Sequence, residues 1–182
     1  MLVWNRLRYV LSPQFDIYEQ LAKIVRGRVA DIGFGSGFGA HLYVTNAKEI
    51  VGYETDECAI RFARRAFNIP KMSFGYGDIQ KGIDDAGFAF VTMIDVIEHL
   101  AHDKQSLLNI KKMLAPGGTF ICSTPNRLSR YRKSEDHARE YAPKEFEAVL
   151  KMAFANVSIR DYKMEPLASQ YENPLVAFCR NE

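Results

Sequence analysis

Apolar positions along the chain follow two alternating rhythms. Short runs rich in β-branched and aromatic residues, RVADIGF (28–34), EIVGYET (49–55), MSFGYGD (72–78), FAFVTMID (88–95) and GTFICSTP (118–125), predict five strands. Between them the spacing turns helical. Ser12 and Pro13 mark a helix start, followed by Phe15, Tyr18, Leu21, Ala22 and Ile24 on one face until Gly27 stops it. Ala59, Phe62, Ala63, Ala66 and Phe67 predict a second covering helix, and Leu107, Leu108, Ile110 and Leu114 a third. The fourth strand is apolar almost throughout, as a parallel strand covered on both faces must be. The alternation predicts an α/β protein with a doubly wound, mostly parallel sheet.

Beyond Pro125 the character changes. A polar stretch runs from Asn126 to Arg139, a helix is predicted near Pro143 to Ala153, and VSIRDYK (157–163) and PLVAFCR (174–180) read as closing strands. The connection between these two has no room for a crossover helix, so an antiparallel pair with a reversed C-terminal strand is expected. Residues 1–182 read as a single domain, with 1–27 a helical segment placed to act as a lid and Trp4, Phe15 and Tyr18 its aromatics.

Composition narrows the function classes. The 182 residues carry 24 Lys plus Arg against 22 Asp plus Glu, a net charge of +2, which gives no general attraction to nucleic acid. One local cluster, Arg127, Arg130, Arg132 and Lys133, is either a solvated face or a grip on an anionic substrate; Arg61, Arg64 and Arg65 share a helix surface. Cys58, Cys122 and Cys179 lie far apart without a CxxC pair, which points to a reducing, cytoplasmic setting. No apolar run reaches the 18 or so residues of a membrane helix, and the N-terminal MLVWNRLRYVL has arginines inside its apolar stretch, so neither a span nor a signal peptide is expected.

Chemistry concentrates in DIGFGSGFG, where Gly33, Gly35 and Gly37 leave a strand and enter a helix around Phe34. Glycines there allow close approach of a ligand and leave amide N–H groups free at the helix start. Acids follow at the ends of successive strands: Glu54 beside Thr55, placed to accept bonds from two ribose hydroxyls, and Asp78 beside Ile79. In a doubly wound sheet those ends open onto one crevice, so Asp31, Glu54 and Asp78 are expected to reach one nucleoside ligand. GSGFGA also scans as a dinucleotide fingerprint, but Asp31, two residues before Gly33, would repel a pyrophosphate and attract an ammonium and a sulfonium.

VADIGFGSG, VGYETD, YGDI, IDVIEHL and LAPGGTFICSTPN together resemble the successive motifs of class I S-adenosylmethionine-dependent methyltransferases, over residues 28 to 126. The resemblance implies a Rossmann-like sheet with a reversed final strand. It also implies S-adenosyl-L-methionine as cofactor and S-adenosyl-L-homocysteine as product. It carries the methionine part to Gly33, Gly35 and Gly37, the ribose to Glu54, the adenine end to Asp78 with Ile79, and the methionine end again to Ile94 and Asp95. Methyl transfer from a sulfonium needs chiefly alignment and exclusion of water. For a hydroxyl acceptor a base helps, and IDVIEHLAHD offers Glu98, His99 and His102, with His137 further along; His99 is the first choice.

Two further readings stay open. Asp95, Glu98, His99 and His137 form an oxygen and nitrogen set suited to Mg²⁺ or Mn²⁺. DVIEHL, STPN and the later histidine resemble small-RNA 3′-terminal 2′-O-methyltransferases, whose metal is held by a similar group, although Asp95 stands where those have glutamate. VIEHL, STPN and HxREY equally resemble metal-free bacterial enzymes acting on small molecules, quinone precursors or glycan sugars, which makes a small-molecule or glycan acceptor the expectation and RNA the alternative. The other reading is a non-catalytic S-adenosylmethionine-binding subunit, which needs only the first half of these motifs.

Overall fold

The computed structural model describes residues 13–130 and 134–182. Ser12 and Trp4, and Arg132 and Lys133 of the basic segment, lie outside the described residues. Helix α1 (Pro13–Ile24) buries Ile17, Tyr18 and Leu21 and leads into β1 (Gly27–Ile32). After the glycine turn come a short α2 (Phe38–Leu42) and a 3₁₀ turn (Tyr43–Thr45), then β2 (Ala47–Glu54), α3 (Glu57–Ala66) and β3 (Met72–Tyr76). The remaining elements are β4 (Phe88–Ile94), a 3₁₀ turn at Ile97–His99, α4 (Asp103–Met113), β5 (Leu114–Thr124), α5 (Pro143–Leu150), β6 (Asn156–Arg160) and β7 (Leu175–Arg180).

The seven strands order as β3-β2-β1-β4-β5-β7-β6. All neighbours from β3 to β5 pair in parallel, while β7 runs antiparallel to both β5 and β6, which is the reversed closing pair expected from the sequence. The central strands explain the continuous apolar runs. In β1, Val29 packs with α1 and α2, whereas Ala30 and Ile32 pack on the opposite face with α4 and α5. Period-2 alternation therefore turns Asp31 to the α1 side, where Tyr18 meets it.

Four positions of the sequence pattern fall elsewhere. Leu108 is exposed because the buried stripe of α4 runs through Leu107, Ile110 and Met113; Ala66 is exposed because that of α3 runs through Ile60 and Ala63 to Phe67. Ile24 is exposed at the end of α1. Leu114 opens β5 opposite Phe88 instead of closing α4, and a register shift absorbs the intervening Pro-Gly-Gly. No helix among the described residues is long and apolar enough to cross a membrane.

Candidate functional site

The strand order reverses direction between β1 and β4, and the carboxyl ends of β1 to β4 open there into a crevice of about 390 Å³. The turn after β1 forms its floor. Gly33 (φ +70°) lines the crevice, and a Cβ there would stand 2.5 Å from Val96, so the two connections leaving β1 and β4 touch only because this residue is glycine. Gly35 (φ +54°) faces open space and donates its N–H to Glu54 Oε2 at 3.1 Å. Gly37 answers to packing: α3 presses on it through Ala63 and Phe67.

Glu54 ends β2 with its carboxylate gathered against this turn. Beyond Gly35, Oε1 accepts from the N–H groups of Thr55 (2.6 Å) and Asp56 (3.3 Å). Glu54, Thr55, Asp78 and Ile79 all line the crevice. Asp78 accepts from the Gln80 N–H at 3.0 Å and pairs with the exposed Lys81, while Asn109 of α4 holds the Ile79 carbonyl at 2.8 Å. Among the described residues no lysine or arginine lines the crevice, although Lys81 pairs with its Asp78; the carboxylates that line it are Glu54, Asp78 and Asp95.

Asp31, Phe34 and Ile94 sit apart from this lining. Phe34 is buried against Phe74, with ring centroids 4.8 Å apart, and Ile94 belongs to the core on the α1 side. Asp31 is fully buried, accepting from Thr92 Oγ1 at 2.7 Å and from the Tyr18 hydroxyl at 3.2 Å. Burial lifts its pKa to about 7, against the pull of those two hydroxyls. It is thus half neutral near pH 7 and would repel a pyrophosphate less than a full charge; the repulsion falls instead to Glu54 and Asp78, which line the crevice.

A second cavity of about 300 Å³ adjoins the first, and the two share Asp95 and His99. Pro13 and Gln14 of α1, Glu98, His137 and the Asn173–Pro174 segment complete its wall. Asp95 has φ +52°, a left-handed conformation that costs a non-glycine residue of order 1–3 kcal/mol and tends to mark functional positions. Three bonds hold it there. Ser123 Oγ donates to Oδ1 at 2.5 Å, Gln14 Nε2 to Oδ2 at 2.8 Å, and the Asp95 N–H donates to Ser123 Oγ at 3.0 Å. Burial raises the Asp95 pKa, opposed by those side-chain donors.

The candidate catalytic residues converge on this second cavity. His99 Nδ1 lies 3.0 Å from the Asp136 carbonyl, which only accepts, so Nδ1 carries the proton and Nε2 is the basic nitrogen. His137 Nδ1 meets Glu140 Oε1 at 2.9 Å, and the two imidazoles stand edge to face with centroids 4.9 Å apart. Glu98 is buried, accepts from Thr124 Oγ1 at 3.2 Å, and has its pKa pushed to about 8 by burial and then by Asp95. It therefore holds its proton to higher pH than an ordinary glutamate. His102 lines neither cavity; its backbone N–H donates to Gln80. One ligand atom each from Glu98, His99 and His137 lie within 4.8 Å of one another, a grouping that does not include Asp95, already engaged by Ser123 and Gln14.

Gln14, Ser123, Val96 and Asn173 were not singled out from the sequence. Ser123 lies in STPN and Val96 in IDVIEHL; Gln14 and Asn173 reach the site through tertiary packing between distant segments.

Sheet order, reversed β7, glycine turn and acids at the ends of β2 and β3 define a nucleoside-binding, doubly wound domain. The family profile described as "Methyltransferase domain" matches residues 30–122, just over half of the chain. The chain belongs to the class I S-adenosylmethionine-dependent methyltransferase family. It is 33% identical over 115 residues to a "Probable S-adenosylmethionine-dependent methyltransferase" of Mycolicibacterium smegmatis, covering 62% of this chain and 44% of that protein. Over 107 residues it is 29% identical to a ubiquinone biosynthesis O-methyltransferase of Maricaulis maris, covering 57% and 42%. The chain thus spans less than half the length of these curated relatives. Among solved structures, a TehB-like SAM-dependent methyltransferase from Corynebacterium glutamicum superposes with a TM-score of 0.74 at 19% identity, over 98% and 95% of the two chains. A DhpI–SAH complex does so with 0.73 at 19%, over 96% and 87%. These likenesses are of fold.

Proposed function

We propose that this chain is the catalytic domain of an S-adenosylmethionine-dependent methyltransferase that methylates a hydroxyl of a small molecule or glycan sugar. The observation that carries this reading is the pair of adjoining cavities with Asp95 and His99 as their common wall. In this reading the larger cavity takes S-adenosylmethionine. Glu54, which already collects three backbone N–H groups, accepts the ribose hydroxyls; Asp78 and Ile79 meet the adenine end; Gly33 and Asp95 border the methionine part. The residues fit a cationic ligand: acids line the crevice, and among the described residues no lysine or arginine lines it to pair a pyrophosphate. When bound, the cofactor supplies an electrophilic methyl group. His99, oriented through Nδ1 by the Asp136 carbonyl, takes the acceptor proton at Nε2. Glu98, its pKa raised by burial, and the His137 side chain orient the hydroxyl, and α1 with the Asn173–Pro174 segment excludes water. A cytoplasmic location accords with three free cysteines.

A second reading has its own observation. The Glu98, His99 and His137 ligand atoms are close enough to hold Mg²⁺ or Mn²⁺, which would ionise Glu98 and bind the terminal hydroxyls of an RNA acceptor. A screen with methyl-labelled cofactor across phenols, sugars and short RNAs, with chelator or Mn²⁺, separates the two. The expected result is S-adenosylhomocysteine formation that depends on a small hydroxyl compound and ignores chelator. Chelator-sensitive transfer to an RNA end would replace the first reading by the second. Tight cofactor binding without transfer to any acceptor would point to a binding module.

A further inference from the structure

The segment STPN (123–126) sends Ser123 to Asp95 and Thr124 to Glu98, yet its last residue lines neither cavity. Asn126 is fully buried. Its Nδ2 donates both hydrogens to one loop, to the carbonyls of Gln170 (2.8 Å) and Glu172 (2.7 Å), and its own N–H donates to Asn173 Oδ1 at 2.7 Å. Its Oδ1 accepts from the Leu128 N–H at 3.0 Å, and its backbone bridges Tyr141. One side chain therefore ties the end of β5 to the far end of the β6–β7 connection. That connection carries no helix, and its last two residues, Asn173 and Pro174, are wall of the smaller cavity.

We infer that Asn126 is a positioning residue for the methyl acceptor: by clamping residues 170–173 it fixes the Asn173–Pro174 wall against which the acceptor seats. The inference rests on the smaller cavity being the acceptor pocket. The chemistry of the site demands asparagine. Two part-buried carbonyls need two donors and the Leu128 N–H needs an acceptor at the same short reach. Aspartate would set a charge against the two carbonyls, and alanine would remove the side-chain partner of three part-buried groups. The clamp touches none of the residues that line the larger crevice. Cofactor binding should therefore be blind to it.

The test compares Asn126→Ala with the wild-type chain on three readouts. S-adenosylhomocysteine affinity by calorimetry should stay within about twofold, since no crevice contact is lost. Hydrogen exchange should accelerate in 168–174 but not in the sheet, and diethylpyrocarbonate should modify His137, whose side chain is 8% exposed, about threefold faster or more with His41 unchanged. With 3,4-dihydroxybenzoate or methyl α-glucopyranoside, whichever the wild-type chain methylates, acceptor KM should rise about tenfold with kcat changed far less. Should Asn126→Ala fail to fold, Asn126→Ser is read in the same way. If the wild type methylates neither compound, the exchange and footprint alone decide the clamp, while the proposed activity fails separately. Unchanged exchange and footprint, or cofactor affinity and acceptor KM failing together, would overturn the inference.

Discussion

The two cavities are built by different means. At the ribose end of the larger one, the bonds are short-range in sequence or join adjacent strand ends: Glu54 accepts from residues 1, 2 and 19 positions away. Around the smaller one they span the chain. Asp95 is held by Ser123 and Gln14, 28 and 81 positions away, and Asn126 by residues 44 to 47 positions away. The charges differ in the same way. Glu54 and Asp78 sit part-exposed among local partners, whereas Glu98 is buried with its pKa near 8. A doubly wound sheet gathers a nucleoside site from strand ends alone, while an acceptor site has to be assembled from whatever segments are folded over it.

Substitutions on the two sides should separate accordingly. The largest effect is expected at the junction: His99→Ala should lower turnover by roughly 10²-fold or more while leaving S-adenosylhomocysteine affinity nearly intact. Normal turnover would show that alignment alone suffices. On the crevice side, Glu54→Ala should cost about 1–3 kcal/mol of cofactor affinity, the range for a charge-assisted bond whose partner is removed, with little change in acceptor KM. Unchanged affinity in a folded variant would move ribose recognition elsewhere.

The last effect is on stability. The Glu98 pKa is raised from 4.5 to about 8 by burial and Asp95, so the folded chain keeps a proton that the unfolded chain releases. Its contribution is fully present below pH 4.5, declines as pH rises, and is lost above about pH 8. Glu98→Gln carries no such proton. Its Tm relative to wild type should climb between pH 5 and pH 8 and level off beyond; a flat difference would mean that Glu98 ionises normally.

The same contrast decides what was legible in the sequence. Strand runs, the reversed closing pair, and Gly33, Glu54 and Asp78 at strand ends could be read because periodicity and spacing encode them. Asp31 and Phe34 could not be separated from crevice residues, since the pattern places them beside Gly33 without saying which face of β1 or which neighbour each meets: Tyr18 and Thr92 for one, Phe74 for the other. The burial of Glu98, which raises its pKa, is likewise invisible in the local pattern IDVIEHL. Gln14 and Asn173 left no trace, because nothing local marks a residue whose role depends on a partner far along the chain.

Calorimetric titration of the wild-type chain with S-adenosylhomocysteine and, separately, with NAD tests most directly whether the acid-lined crevice at the strand ends is a sulfur-nucleoside site. Saturable binding of S-adenosylhomocysteine with no heat from NAD is expected. Saturable NAD binding with no response to S-adenosylhomocysteine would contradict the account.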